Sequence, residues 1–186
     1  MADINDNTSN IKRYYNDKHQ LHSFDDQPAE IIYDENTMNS SNPIIIKQSW
    51  YKDGLLHRDN DKPAVINNKC GLSRWYKDGL LHREGDNPAE IICSKYSWYK
   101  DGLLHRDNDK PAIINTEFGV YTEKWYIKGQ LHRDNDRYAW KVGNPETGFE
   151  YKWYVYDILY KCSEKISHIR RIFNWQHPNS TKNNKN

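Results

Sequence analysis

Residues 50–58 read Trp-Tyr-Lys-Asp-Gly-Leu-Leu-His-Arg, and the chain repeats these residues at 75–83 and 98–106. A fourth copy, at 125–133, reads Trp-Tyr-Ile-Lys-Gly-Gln-Leu-His-Arg. Repetition at a period of about 25 residues is typical of an array built from one small structural unit. The repeat therefore decides the fold, and arrays of this kind usually bind or support other molecules.

The first three copies carry a hairpin signal, because an Asp-Gly pair lies between aromatic and aliphatic residues, and the fourth copy keeps the glycine as Lys128-Gly129. Glycine accepts the positive φ that such a turn requires. With Asp53 and Gly54 as the loop, the flanking residues pair as Lys52 with Leu55, Tyr51 with Leu56, and Trp50 with His57. Side chains alternate along a strand, and we expect the face with Tyr51 and Leu56 to be the drier one. The turn residues of the copies are Asp53, Gly54, Asp78, Gly79, Asp101, Gly102 and Gly129.

A second turn follows each copy, as Asp-Asn-Asp-Lys-Pro at 59–63 and 107–111. Asn60 becomes Gly85 in the next copy, and both residue types tolerate left-handed backbone, so the exchange indicates a turn. A short apolar run follows, and each copy thus contains two or three short strands without a helical period. Strands lie ~4.8 Å apart, which predicts copies ~10 Å apart in a ribbon about 50 Å long.

Degenerate copies extend the pattern at both ends. Aligned on histidine, Tyr15 takes the tryptophan place of an early copy, in which His19 replaces the glycine, and Trp153 begins a late copy. We expect an all-β fold: an elongated, single-layer antiparallel hairpin-repeat array. The predicted units are a disordered tail at 1–12, five to six repeats within 13–160 (about 14–32, 44–66, 73–92, 96–114, 121–142 and 149–160), a capping helix at 161–177 and a disordered tail at 178–186.

The segment after the last copy changes its period. Ser163 is a suitable N-cap and Glu164 lies in the first turn, where a negative charge is favourable. The pattern predicts a short helix that covers the last strand, since exposed sheet edges need cover. The apolar face of this helix consists of Ile166, Ile169, Ile172 and Phe173.

The composition restricts the classes of function. The formal charge is +1, from 27 basic and 26 acidic residues, so no overall field attracts nucleic acid. Cys70, Cys93 and Cys162 are odd in number, which does not favour a disulfide framework. The N-terminus lacks signal-peptide features, and no apolar run approaches the ~18 residues of a membrane span. We expect a soluble, intracellular, cytoplasmic protein.

Trp-Tyr-x-x-Gly-x-x-His with a following acidic turn resembles the MORN-type repeat over roughly residues 14–160. MORN repeats usually continue from the histidine into a Gly-x-Gly pattern, whereas this chain continues from Arg58 to Ala64 as Arg-Asp-Asn-Asp-Lys-Pro-Ala. The chain more closely resembles a Trp-Tyr-x-x-Gly-x-Leu-His-Arg-x-x-Asp-x-Pro-Ala variant in repeat proteins of large DNA viruses of amoebae. The resemblance implies a binding or scaffolding array; MORN arrays have been linked to membrane lipids and to protein partners.

Three recurring charged positions allow a functional and a structural interpretation. Asp59-Asn60-Asp61 offers hard oxygens of the kind that calcium prefers, but the EF-hand spacing is absent, and we expect a turn without a metal. Copies ~10 Å apart cannot share one zinc ion between their histidines. We expect Arg58 to pair with Asp59 and Asp61 of the same or the adjacent copy, rather than to form an exposed phosphate-binding stripe.

The rows of aromatic residues form either the core of a thin sheet or a partly exposed binding face. The candidate binding ladder is Trp50, His57, Trp75, His82, Trp98, His105, Trp125 and His132.

No motif for a nucleophile, phosphate loop or paired zinc ligands occurs, so we expect no enzyme and no cofactor. The sequence favours a protein-binding or structural scaffold, which in a virus would be a structural or accessory protein in the host cytoplasm or the virion. The alternative is a peripheral membrane protein that binds anionic lipid through the sheet and a basic C-terminal helix. A third option is an array stabilised by divalent ions, and the open ribbon ends allow a homodimer.

Overall fold

The structure, a computed structural model, describes the backbone of residues 2–3 and all of residues 10–163. This part of the chain is all-β, with one 3-10 turn, η1, at Glu117–Gly119. The strands are β1 Ala2–Asp3, β2 Ile11–Tyr15, β3 Glu30–Tyr33, β4 Ile45–Ser49, β5 Tyr51–Lys52, β6 Leu55–Leu56, β7 Val65–Asn67, β8 Leu72–Arg74, β9 Tyr76–Lys77, β10 Leu80–Leu81, β11 Glu90–Ile92, β12 Lys95–Ser97, β13 Tyr99–Lys100, β14 Leu103–Leu104, β15 Ile113–Asn115, β16 Tyr121–Lys124, β17 Tyr126–Ile127, β18 Gln130–Leu131, β19 Trp140–Asn144, β20 Gly148–Val155 and β21 Ile158–Cys162.

Thirteen strands form one antiparallel sheet in the order β1-β2-β3-β4-β7-β8-β11-β12-β15-β16-β19-β20-β21. The predicted all-β fold with a long antiparallel sheet is confirmed. At ~4.8 Å between strands, the sheet is about 60 Å long. The eight remaining strands form four separate hairpins, β5–β6, β9–β10, β13–β14 and β17–β18.

The Asp-Gly hairpins have the expected register, with Lys52 opposite Leu55 and Tyr51 opposite Leu56. Asp53 and Gly54 have φ values of 48° and 82°, which a two-residue primed turn requires. Tyr51 and Leu56 are half-buried, whereas Lys52 and Leu55 are exposed. Within the two-residue strands, the drier face is therefore the expected one. The prediction was wrong for Trp50 and His57, which alternation places on the other face. Trp50 is more deeply buried than Tyr51 and Leu56, and the side chain of His57 is only 12% exposed.

These hairpins do not join the strands of the long sheet, which differs from the single ribbon expected from the sequence. Trp50 donates its N–H to the carbonyl of Ala64 (2.8 Å) and accepts the N–H of His57 (3.1 Å). The chain thus leaves the sheet at Trp50, makes the small hairpin and returns at Ala64, because left-handed Asn60 and Asp61 redirect the backbone. Each full copy contributes two strands to the sheet and two to a separate row of hairpins.

Successive hairpins are linked through their glycines. The N–H of Gly54 donates to Leu21 O (2.9 Å), and that of Gly79 to Leu56 O (2.9 Å). Gly102 and Gly129 make the equivalent bonds. The row of hairpins is thus continuous from copy to copy, even though each hairpin contains only four paired residues.

The core is a line of tryptophans and alanines along the sheet. The four repeat tryptophans are 4–9% exposed, and the alanine after each acidic turn is completely buried. Trp75 donates to Ala89 O (2.8 Å), and Ala64 donates to Arg74 O (2.8 Å), so indoles and small methyl groups occupy neighbouring strands. The alanines leave room for the rings, whose burial contributes on the order of 2–3 kcal/mol each.

The first copy is shifted by one residue from the sequence alignment, which was wrong in placing Tyr15 in the tryptophan position. Tyr14 donates to Ala29 O (2.9 Å) and accepts from His22 N–H (3.1 Å), as Trp50 does in the next copy. Tyr15 instead pairs with Leu21. The reason is a longer loop between these two residues, in which His19 supplies the positive φ, 56°.

The predicted boundaries change at both ends. Residues 2–3 and 11–12, which the sequence pattern assigned to a disordered tail, lie in β1 and β2. At the other end, Lys161 and Cys162, which the pattern assigned to the capping helix, end β21. The remainder of that helix and the tail at 178–186 lie outside the described residues.

Candidate interaction surface

Successive copies are joined by a repeated side-chain contact, called the clasp below. In the first clasp, Arg58 donates from Nε to Asp26 Oδ1 (2.7 Å) and from Nη2 to Asp26 Oδ2 (3.1 Å). Its Nη1 donates to the carbonyl of Pro63 (3.2 Å). The guanidinium lies 3.7 Å from the centre of the Trp50 ring, and the indole Nε1 donates to Asp26 O (2.9 Å). One aspartate thus holds both the arginine and the tryptophan of the following copy.

The clasp recurs along the array with the same atoms. Arg83 binds Asp61 (2.7 and 2.8 Å), and Trp75 donates to Asp61 O (2.9 Å). The equivalent pairs in the next two copies are Arg106 with Asp86 and Arg133 with Asp109.

The expected partners of the arginines were therefore only partly right. The partner is the last acidic residue of the turn one copy earlier, while Asp59 binds His57 (3.1 Å). The arginines reach back because stacking places the preceding turn beside each tryptophan.

The clasp continues into the degenerate last copy with other residues. Trp153 donates from its indole to Asp136 O (3.0 Å), and Lys161 lies 4.4 Å from the centre of that ring. The hydroxyl of Tyr160 donates to Asp136 Oδ1 (2.9 Å). A cation still covers the indole, and a phenol replaces the arginine as the partner of the carboxylate.

The clasps neutralise the arginines of the repeat. The hydrogen bond from Arg106 and a second one from Lys110 lower the pKa of Asp86 to about 2. Hydrogen bonds from Arg58 and Lys62 likewise hold the pKa of Asp26 well below its usual range. These carboxylates stay ionised, and each arginine charge is matched, so the arginines do not form an open phosphate-binding stripe.

The repeat histidines connect neighbouring turns. The N–H of Asp78 donates to His57 Nδ1 (3.1 Å), which places the ring proton of the neutral form on Nε2, beside Asp59. The N–H of Asp101 donates to His82 Nδ1 in the same way (3.2 Å). His132, the histidine of the fourth copy, instead stacks on Tyr156 of the degenerate last copy, with the two ring centres 4.2 Å apart.

The candidate binding ladder lies mostly inside the array. The four tryptophans are buried under the clasp arginines. The histidine side chains are 7–18% exposed. A binding role for these residues stays a prediction, and the structure leaves little of their surface open to a partner.

A different row of side chains is open to solvent. Leu55, Leu80 and Leu103, called the leucine row below, are 50–51% exposed. In its hairpin, each lies opposite an exposed lysine. With copies ~10 Å apart, the row spans about 20 Å. The sequence contains a signal for it, because the predicted wetter face carries this position and the fourth copy has Gln130 there.

The leucine row also has a packing role. A Cβ atom on Gly79 would lie 3.4 Å from Leu55 Cδ2, and one on Gly102 would lie 3.4 Å from Leu80 Cδ2. Each leucine therefore covers the turn glycine of the next copy with part of its surface. The other part faces outward.

A second exposed apolar cluster lies at the end of the array. Ile158 and Leu159 take the positions of Leu55 and Leu56 in the last copy and are 70% and 49% exposed. Val155 and Tyr156 are exposed beside them. The predicted C-terminal helix was expected to cover this strand, and it falls outside the described residues.

Two clefts open between successive turns, with volumes of about 380 and 240 Å³. Their walls are the clasps themselves, including Arg83, Trp98 and Arg106 in the larger one. Since each of these arginines already binds an aspartate and an indole of its own clasp, the clefts follow from the stacking of the copies.

The acidic turns have two structural roles: they redirect the backbone, and they supply the carboxylates of the clasps. Asn60 and Asp61 have φ values of 60° and 53°, and the carboxylate of Asp61 is bound to Arg83. In the part of the chain that the structure describes, no group of three His, Cys, Asp or Glu side chains is placed to hold a metal ion. The same part contains no helix with the length and apolarity to cross a bilayer.

Comparison with known protein families, with curated protein sequences and with solved structures finds no match.

Proposed function

We propose that the protein is a non-catalytic scaffold of MORN-like repeats that binds a protein partner through the leucine row. The observation that carries the proposal is the contrast within each copy. Tryptophan and alanine are buried, whereas the first leucine after the turn remains half exposed in three successive copies. Exposed apolar groups that recur along one surface mark interaction sites more often than single exposed ones do.

The spacing of the row favours a helical partner. Copies repeat every ~10 Å, and seven residues of an α-helix rise about 10.5 Å. An amphipathic helix with an apolar residue at every seventh position can therefore place one side chain at each leucine. An extended strand repeats each face about every 6.7 Å and does not match this spacing.

The charges beside the row suggest the rest of the partner surface. Lys52, Lys77 and Lys100 are exposed opposite the leucines. Lys77 bonds to Glu84 (3.0 Å) and Lys100 lies 3.6 Å from Asp107, so two of the lysines are already paired on an open surface. Partner acids would add orientation rather than large affinity.

The proposal is tested by capture from the native source with two matched variants. Leu80→Ser combined with Leu103→Ser removes two anchors of the row. Phe118→Ser removes an apolar side chain that is 98% exposed but lies outside the row. We expect a partner whose recovery falls at least tenfold with the first variant and is unchanged with the second, while both keep the β-sheet circular dichroism. Equal recovery from both variants would contradict the role of the row.

The biological setting rests on the resemblance alone and is part of the proposal: an intracellular, viral structural or accessory protein. The anionic-lipid alternative stays a prediction. The described array offers few free cations for anionic lipid, because each clasp arginine already binds a carboxylate. Lipid binding would therefore depend on the residues after Ser163. Flotation with anionic vesicles, with and without those residues, tests it.

A further inference from the structure

Two of the three cysteines lie in neighbouring turns at one edge of the array. Cys70 belongs to the turn between β7 and β8, and Cys93 begins the turn between β11 and β12. Strands β8 and β11 are adjacent, with Leu72 opposite Ile92. The two turns therefore leave the sheet side by side, although they belong to different copies.

The distance between the two residues is short. The Sγ of Cys93 lies 3.4 Å from the carbonyl oxygen of Cys70. Both thiols are free and exposed. A disulfide requires Cα atoms about 4.4–6.8 Å apart, and the register of Leu72 with Ile92 puts Cys70 only one position from the residue opposite Cys93. Joining the sulfurs requires a side-chain rotation at Cys70 and a movement of its exposed turn.

We propose that Cys70 and Cys93 form a disulfide under oxidising conditions, which staples the first full copy to the second. With hydrogen peroxide as the oxidant, one thiolate attacks an oxygen of the peroxide and becomes a sulfenic acid, releasing hydroxide, which takes up a proton to give water. The second thiol then displaces the sulfenic oxygen as water and forms the S–S bond. Two thiols lose two electrons and two protons, and one peroxide becomes two water molecules.

The staple would close the chain segment that contains the Trp75 hairpin and the clasp arginine Arg83. Opening of the array between β8 and β11 would then be restrained by a covalent bond as well as by the ladder between these strands. The inference is independent of the leucine row. It makes one junction of the scaffold sensitive to the redox state of its surroundings.

The test treats the folded, full-length chain with one equivalent of hydrogen peroxide, blocks the remaining thiols by alkylation and measures the intact mass. We expect the loss of two hydrogen atoms and a single alkylated cysteine, Cys162, with the link between Cys70 and Cys93 confirmed by peptide mapping. Cys162→Ser should keep the link, and Cys93→Ser should abolish it. The oxidised protein should melt about 5 °C higher, reversibly on reduction.

A matched reaction in urea separates folded geometry from chance encounter. The link should form at least tenfold faster in the folded chain than in the unfolded chain. Equal rates, three alkylated cysteines after oxidation, or disulfides that involve Cys162 would each overturn the proposal.

Discussion

The clasp predicts a specific loss of stability when Asp61 is replaced by asparagine. Asparagine keeps the shape of the side chain and tolerates the positive φ at this position, so the change removes mainly the charge and one of two acceptor oxygens. The indole of Trp75 bonds to the backbone carbonyl of Asp61 and keeps its partner. The matched control is Asp59→Asn in the same turn, where the carboxylate bonds to His57 and not to an arginine.

The size of this loss of stability follows from how far the Arg83–Asp61 ion pair is exposed to solvent. Hydrogen bonds to charged groups contribute about 1.5–3 kcal/mol, and exposed ion pairs about 0.2–1 kcal/mol. The Arg83 side chain is 16% exposed and that of Asp61 54%, so solvent screening reduces the larger figure. We expect Asp61→Asn to lower the free energy of unfolding by about 1 kcal/mol, or the melting temperature by about 2–4 °C. Asp59→Asn should cost less than about 0.5 kcal/mol.

The pH dependence gives an independent check of this prediction. The hydrogen bond from Arg83 lowers the pKa of Asp61. A lowered pKa stabilises the folded chain above the unfolded value of about 3.9, and the stabilisation disappears as the pH falls through the folded pKa. In urea unfolding, the difference between the wild-type protein and Asp61→Asn should be full at neutral pH and should shrink below about pH 3.9. An equal cost for both variants, or a cost independent of pH, would refute the reasoning.

Two further perturbations test the hairpin row and the last clasp. Gly79→Ala should cost about 1–3 kcal/mol because φ is 82° and Leu55 lies 3.4 Å from the new Cβ. Gly119→Ala has a similar φ of 72° but nothing within 4 Å, so a smaller loss of melting temperature is expected there, and equal losses would argue against the leucine contact. Burial and the hydrogen bond to Asp136 raise the pKa of Tyr160 to about 12. The raised pKa means that the protonated phenol stabilises the folded chain below the unfolded pKa of about 10, and this stabilisation is lost as the pH rises towards 12. Tyr160→Phe should therefore show a smaller loss of melting temperature at alkaline pH in a pH series of thermal melts.

The hairpin register could be predicted from the sequence because it depends on local chemistry. Asp53 and Gly54 specify a turn that only a few residue pairs form readily, and the turn sets which neighbours face each other. The shift in the first copy could not be predicted from an alignment on histidine. The longer loop between Tyr15 and Leu21 shifts the pairing of the first copy by one residue, while the residues outside the loop keep the pattern of the repeat.

The separation of the hairpin row from the sheet depends on long-range pairing. Local patterns predict that β5 pairs with β6, but not that Trp50 also pairs with Ala64 across an intervening turn. The same limit applies to the clasp, because the partner of Arg58 is Asp26, 32 residues earlier. Stacking between copies brings these groups together, and only the assembled array shows which of two nearby carboxylates is in reach.

Whether the tryptophans form a core or a binding face depends on what covers their rings. In a bare single-layer sheet, one face of each indole would be open to a partner. Here the arginine of each full copy lies over the ring, 3.7–4.1 Å from its centre. The same stacking leaves Leu55 half outside, which moves the candidate surface from the aromatic row to the leucine row.

Hydrogen exchange at the turn glycines tests the central claim, the continuous stacking of copies, most directly. The N–H of Gly79 lies at the tip of a hairpin and donates to Leu56 of the preceding copy (2.9 Å). We expect it to exchange about 100-fold or more slowly than a free amide, together with those of Gly102 and Gly129. Exchange of these amides at the rate of an unfolded peptide, while the sheet amides remain protected, would contradict the stacked array.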